Sequence, residues 1–279
     1  GGKPFILMES CPGPTNWGVI NRQLRPGVHR MKSLQAIAHG SDTVCYFQLR
    51  KGRGASEKFH GAVIDHSENP NARMFKEISE LSKDLKKLEG VVGCHTPAKV
   101  AIMFDWNSRW ALDASAGPTE HCKEYFALVK KHYEYFWQNG IPVDMVGPES
   151  DLSKYTLVIA PTLYMVSETL VQRFKDYVSA GGTLVATYLT GVVNETDLVY
   201  MGGLPGNMRD LFGIWAEEID YLYDHEVSKL TANGLNKFKG DFELSNVCEV
   251  IHAEGATPVA VFANNDYYDA MPAVTRNDF

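Results

Sequence analysis

Glu9, Trp17, Glu57 and His60 have the residue types and spacing to hold and attack a polar ligand. Glu9 directly follows Phe5-Ile6-Leu7-Met8, a wholly apolar run bounded by Pro4 and by Ser10-Cys11-Pro12-Gly13-Pro14. Such a run predicts a parallel strand buried on both faces that ends in a rigid loop. In a barrel of strands and helices, reactive groups collect at the C-terminal strand ends. An ordinary loop carboxylate also fits the position. Asn16-Trp17 places a flat aromatic near Glu9, the kind of platform on which the apolar face of a sugar rests; a lone Trp at a strand end also serves as core. Glu57 and His60 lie in the Gly-rich loop that follows the next strand, where they could exchange hydrogen bonds with a polyhydroxylated ligand. The bare spacing is equally that of a solvated loop.

The elements that must position these groups read as β-loop-α-β-loop-α. A helix follows Arg25-Pro26-Gly27, with Met31, Leu34, Ile37 and Ala38 on one face and its end at Gly40. Thr43 to Gln48 is the next strand, and a polar loop runs from Arg50 to Asn71. Met74, Ile78, Leu81, Leu85 and Leu88 then mark an amphipathic helix between Pro70 and Gly90. Two such units cannot close a barrel, which takes eight.

Near Gly93-Pro97 the pattern restarts. Val100 to Phe104, Tyr155 to Ala160 and Thr183 to Tyr188 are expected strands. A helix from about Thr119 to Gln138 should carry Cys122, Phe126, Val129, Tyr133 and Phe136 inward. A second, capped by Ser167, should end at Gly181-Gly182. This alternation predicts an open doubly wound sheet. Val247–Ile251 and Val259–Ala263 read as an added strand pair. The immediate start of a strand after Pro4 and the lack of a closing element near Phe279 suggest a segment cut at both ends.

Composition narrows the partners. The 279 residues carry a net charge of −7, with 44% apolar and 22% charged residues, the balance of a globular protein. That sign argues against nucleic acid or an anionic membrane as partner, and no apolar run approaches a membrane span. Five cysteines, widely spaced and without a C-x-x-C pair, fit a reducing, cytoplasmic setting better than a disulfide framework or a zinc site. With no Gly-rich dinucleotide fingerprint and no paired cysteines, no cofactor and no metal are expected.

Together, Met8-Glu9-Ser10-Cys11-Pro12-Gly13-Pro14-Thr15-Asn16-Trp17, Arg25-Pro26-Gly27, Ser33-Leu34-Gln35-Ala36-Ile37-Ala38-His39-Gly40 and Glu57-Lys58-Phe59-His60-Gly61 closely resemble the β-galactosidases of glycoside hydrolase family 42. The likeness is strong over residues 4 to 90 and weaker over 97 to 279, where Pro272 to Asn277 match best. It implies an α/β chain in which residues 1–92 are the C-terminal portion of a (β/α)8 TIM barrel, strands 7 and 8 with their helices. Residues 93–279 would be a flavodoxin-like, class I glutamine amidotransferase-like doubly wound domain that forms a homotrimer. Neither candidate elbow, Ala160-Pro161-Thr162-Leu163 or Thr187-Tyr188-Leu189-Thr190-Gly191, carries an amidotransferase cysteine, so this domain reads as a scaffold.

By the same resemblance Glu9 corresponds to the nucleophile, and Trp17, Glu57 and His60 to galactose-binding residues. The family cleaves terminal β-galactosides with retention, which takes two carboxyl groups about 5–5.5 Å apart. The acid/base Glu belongs to an earlier strand, so this segment alone is expected to be inactive. The rival reading is a non-catalytic trimerisation module; a flavodoxin-like small-molecule binder is a third, resting on fold analogy alone. The apolar loops Tyr164-Met165-Val166 and Leu198-Val199-Tyr200-Met201 are candidate interface material.

Overall fold

The computed structural model describes residues 5–117, 124–233, 237–263 and 267–279. The chain divides into two compact units, Gly1–Thr96 and Pro97–Phe279. Among the described residues no helix is long and apolar enough to cross a membrane.

In the first unit, β1 (Phe5–Ser10) and β2 (Ser41–Tyr46) pair in parallel, with Ile6 opposite Thr43 and Leu7 opposite Val44. The crossover helix α1 (Val28–Ala38) starts after Gly27, whose φ of 78° favours a residue without a Cβ. Helix α2 (Arg73–Lys87) follows the long loop and buries Met74 and Leu81, as its apolar spacing demands. Two expectations fail in this unit. Strand β1 is not buried on both faces: Phe5 and Ile6 are exposed, and Met8 is 78% exposed, because the strand has one described partner and a two-stranded sheet covers little of either face. Helix α1 does not bury a Met31 stripe. Met31 is 59% exposed, and the fully buried residues are the polar pair His29 and Ser33, one turn apart. Ser33 Oγ donates to the His29 carbonyl at 3.0 Å and lies 3.1 Å from the Tyr46 hydroxyl, while the His29 and Tyr46 rings pack 4.8 Å apart. Both His29 ring nitrogens lack a hydrogen-bond partner, and burial pushes the pKa of that imidazole down.

The second unit is built on four parallel strands, β3 (Val100–Met103), β4 (Val143–Val146), β5 (Leu157–Ala160) and β6 (Thr183–Ala186), in the order β4-β3-β5-β6. Side chains alternate between two cores. Ala101, Met103, Val158 and Ala160 meet Leu170, Val171 and Phe174 of α5 (Glu168–Ser179). Val100, Ile102 and Ile159 meet Tyr125, Val129 and Phe136 of α4 (Tyr125–Gln138). Strands buried on both sides explain the unbroken apolar runs. Ser167 caps α5 as expected, its side chain accepting from the Leu170 N–H. On α4 it is Tyr125, not Phe126, that turns inward; Phe126 is exposed. The expected start of this helix and Cys122 lie outside the described residues.

A helix that the apolar pattern hid, α3 (Trp106–Ala114), follows β3. The Asp105 carboxylate caps it, accepting from Asn107 and Ser108 N–H groups at 3.3 and 2.7 Å. Among the described residues beyond α6 (Arg209–Phe212) come six antiparallel strands: β7 (Ile214–Tyr221), β8 (Ser228–Asn233), β9 (Lys239–Leu244), β10 (Val247–Ala253), β11 (Thr257–Ala263) and β12 (Pro272–Arg276). The expected pair separates. β10 joins β7, and β11 lies between β12 and β8 in a sheet ordered β12-β11-β8-β9. Both runs are apolar, but each finds its partner in a strand too polar to stand out in sequence.

From β10, Glu249 reaches back to the parallel sheet, where its carboxylate accepts from the Leu189 N–H at 2.9 Å. Leu189 stands just past β6 with a φ of 56°. Burial pushes the Glu249 carboxyl up to about 7.

Candidate active site

The parallel pairing of β1 and β2 brings their C-terminal ends to one edge, so the loops that follow them open together. Glu9 is the penultimate residue of β1 and is exposed there. After it, Pro12, Gly13 and Pro14 form a stiff, largely buried turn. The Phe47 N–H donates to the Ser10 carbonyl at 3.2 Å, continuing the pairing of the two chains past Tyr46.

Trp17 sits on a small turn closed by Asn21. The Asn21 Oδ1 accepts from the Gly18 N–H and from Thr15 Oγ1, each at 3.0 Å, and its amide donates to the Gly18 carbonyl at 2.9 Å. The indole is 79% exposed. It is not core, and a rigid, outward-facing ring is available as a platform.

The second loop folds back on its own strand, with Val63 and Ile64 N–H groups donating to the Gln48 and Leu49 carbonyls. At its tip a 3-10 turn over Ser56–Phe59 leaves Glu57 exposed and sends His60 inward. His60 is buried edge-on against the Phe47 ring, with centroids 5.2 Å apart. Its Nδ1 lies 3.0 Å from the Gly61 carbonyl oxygen and 3.8 Å from Cys11 Sγ. A carbonyl can only accept, so Nδ1 carries the proton, and in the neutral ring Nε2 is left as the acceptor.

Three contacts fasten the two loops. The Gly61 N–H donates to the Pro14 carbonyl at 2.7 Å. The Asn16 amide donates to the Ser56 carbonyl at 3.0 Å. Cys11 approaches His60 as given above. The residues expected to do chemistry are therefore carried on one joined pair of loops, with Glu9 at its base. Cys11, Gly13, Asn16 and Gly61 stand within the motifs, but their role as connectors had no mark in the sequence beyond glycines flanked by the motif residues.

An exposed carboxylate at a strand end, an outward indole and an inward imidazole fixed in one tautomer can together bind a polyhydroxylated ring and present a nucleophile to it. No group of three or more His, Cys, Asp or Glu side chains that could hold a metal occurs among the described residues.

Comparison with known proteins supplies the context. A family model described as "Beta-galactosidase" matches residues 1–88, and one described as "Beta-galactosidase trimerisation domain" matches residues 98–279. Beta-galactosidase Pbg of Clostridium perfringens is 46% identical over 280 residues, covering 100% of this chain and 40% of its own length. Beta-galactosidase BglY of Alicyclobacillus acidocaldarius is 48% identical, covering 98% and 40%. Among solved structures, the beta-galactosidase from Bacillus circulans sp. alkalophilus superposes with a TM-score of 0.95 at 45% identity, covering 99% of this chain and 41% of that one. That from Rahnella sp. R3 gives 0.92 at 48% identity, covering 100% and 41%. The chain spans about 40% of the length of the curated relatives it matches.

Proposed function

Because this chain belongs to the β-galactosidases of glycoside hydrolase family 42, we propose that it contributes the nucleophile and part of the galactose pocket to a retaining β-galactosidase. The observation that carries this reading is the joined pair of loops at the C-terminal ends of β1 and β2, with Glu9 at its base and Trp17, Glu57 and His60 upon it. In this account Glu9 attacks the anomeric carbon of a terminal β-galactoside, and the aglycone leaves with a proton supplied by a second carboxyl group. Water, giving its proton to that second carboxylate, then attacks the anomeric carbon from the face the aglycone left and breaks the ester bond to Glu9, so the anomeric configuration is retained. Trp17 stacks on the sugar ring, while Glu57 and the His60 Nε2 accept from its hydroxyls.

The acid/base glutamate lies, on this reading, outside residues 1–279. The first unit is then strands 7 and 8 of a TIM barrel. The exposed apolar side chains of β1 fit that assignment, since neighbouring strands and helices of a closed barrel would cover them. The free thiols of Cys11, Cys45, Cys94 and Cys248 accord with a cytoplasmic setting.

For the second unit we propose a flavodoxin-like assembly domain that makes the enzyme a homotrimer. The strand order β4-β3-β5-β6 reverses between β3 and β5, as in doubly wound folds. Leu198, Val199 and Met201 are exposed side by side, which favours a protein contact. Val166, by contrast, is core and contributes nothing to such a surface.

The test is covalent trapping. The intact natural chain is incubated with a 2-deoxy-2-fluoro-β-galactoside bearing a good leaving group, then digested and sequenced by mass spectrometry. The fluorogalactosyl mass belongs on Glu9; finding it on another carboxylate overturns the assignment.

A further inference from the structure

We propose that Gly13 and Gly61 form a paired positioning element, a crossing of two backbones with no room for a Cβ, that holds the loop bearing Glu57 and His60 against the turn that follows Glu9. The proposal rests on the reading of Glu57 and His60 as galactose-binding residues, but its structural half stands apart from it.

The two residues are far apart in sequence and touch backbone to backbone. A Cβ built on Gly61 would lie 2.5 Å from the Gly13 Cα, 2.6 Å from its nitrogen and 2.9 Å from its carbonyl carbon. A Cβ on Gly13 would lie 2.9 Å from the Gly61 Cα and 3.3 Å from the Gln23 Oε1. Non-bonded carbons rest at about 3.5–4.0 Å, and none of the Gly13 or Gly61 atoms named is the end of a flexible side chain that could swing away. Relief therefore requires the two loops to separate by about an ångström. Neither glycine has a positive φ, so an L-residue would suit each backbone taken alone. The demand for glycine comes from the partner loop.

What the crossing holds is visible around it. It is flanked by the hydrogen bond from the Gly61 N–H to the Pro14 carbonyl and by the approach of Cys11 to His60. Pro12 and Pro14 on either side of Gly13 remove the slack with which its turn could yield. Opening the crossing would carry His60 and the Ser56–Phe59 turn outward, while Glu9, within β1, stays with its strand. The expected consequence is a loss of sugar binding before a loss of chemistry. Displacement of about 1 Å in a site can cost on the order of 10²-fold.

The experiment compares Gly13→Ala, Gly61→Ala and Gly54→Ala in the intact natural chain. Gly54 shares the second loop, and an added Cβ there meets nothing within 4 Å. Hydrogen exchange of the peptide spanning residues 56–64 is measured together with KM and kcat on nitrophenyl β-galactoside and inhibition by free galactose. Gly13→Ala should speed exchange of the 56–64 peptide although the substitution lies in the other loop, and Gly61→Ala should do so more strongly. In both, kcat/KM should fall by roughly 100-fold, mostly through KM and in step with weaker galactose inhibition, while Gly54→Ala matches the parent. Unchanged exchange at residues 56–64 in Gly13→Ala refutes the crossing whatever the kinetics. Faster exchange with unchanged KM and galactose inhibition refutes its positioning role. Coupled exchange in a parent chain with no galactosidase activity would leave the crossing supported and overturn the functional reading instead.

Discussion

Replacing Glu249 by Gln should remove most of an alkaline loss of stability from this protein. The carboxyl of Glu249 is pushed up to about 7 from an ordinary 4.5, because burial disfavours its ionised form and the single Leu189 N–H does not compensate. The sign follows from proton counting. Between these two values the folded state holds a proton that the unfolded state has lost, so stability falls as pH rises through the window. At 1.36 kcal/mol for each pH unit, the loss between pH 5 and pH 8 is on the order of 2–3 kcal/mol. For a unit of this size that is roughly 5–10 °C in Tm. Gln keeps an oxygen for the Leu189 N–H and cannot ionise. Urea titrations of parent and Glu249→Gln at pH 5, 6, 7 and 8 isolate the effect, since every other titrating group cancels in the difference. The two proteins should be close at pH 5, with the variant increasingly the more stable toward pH 8. Parallel curves across the whole range would refute the reasoning.

Acid should act through His29 in the opposite direction. Burial holds that imidazole below its ordinary pKa, so as pH falls below about 6.5 the unfolded chain takes up a proton that the fold resists, and stability drops. His29→Phe, which keeps a ring against Tyr46, should flatten the acid limb of a urea-midpoint profile; an unchanged limb would contradict this. Asp105→Ala should cost about 1–2 kcal/mol by uncapping α3. Asp105→Asn should recover most of that in the same denaturation assay, and equal losses for both would count against the cap.

Much of the scaffold could be read directly. Ile78, Leu81 and Leu85 mark α2 because a helix on an unpaired surface must show a stripe. Ser167 marks α5 because its hydroxyl meets the Leu170 N–H. The parallel strands were legible as unbroken apolar runs, since both of their faces are covered. Helix α1 misled because His29 and Ser33, rather than the nearby Met31, face inward. The antiparallel strands were mostly illegible. Ser228–Asn233 alternates Ser, Leu and Ala inward with Lys, Thr and Asn outward, too weak a pattern to distinguish from a loop, and its partners are fixed only by tertiary packing. At the candidate site, the residues expected to do chemistry stood out by type. The Gly13–Gly61 crossing did not, because a steric demand made by a distant loop leaves no local mark beyond the glycine itself.

The central claim, that Glu9 is the nucleophile, is tested most directly by the anomer that the intact Glu9→Ala variant makes from a nitrophenyl β-galactoside in the presence of azide. With the nucleophile gone and the general acid still in place, hydrolysis should fall by several orders of magnitude, and azide should enter the vacated face to give α-galactosyl azide. Near-parent hydrolysis by the variant, or a β-galactosyl azide product, would show that the attacking carboxylate is another residue.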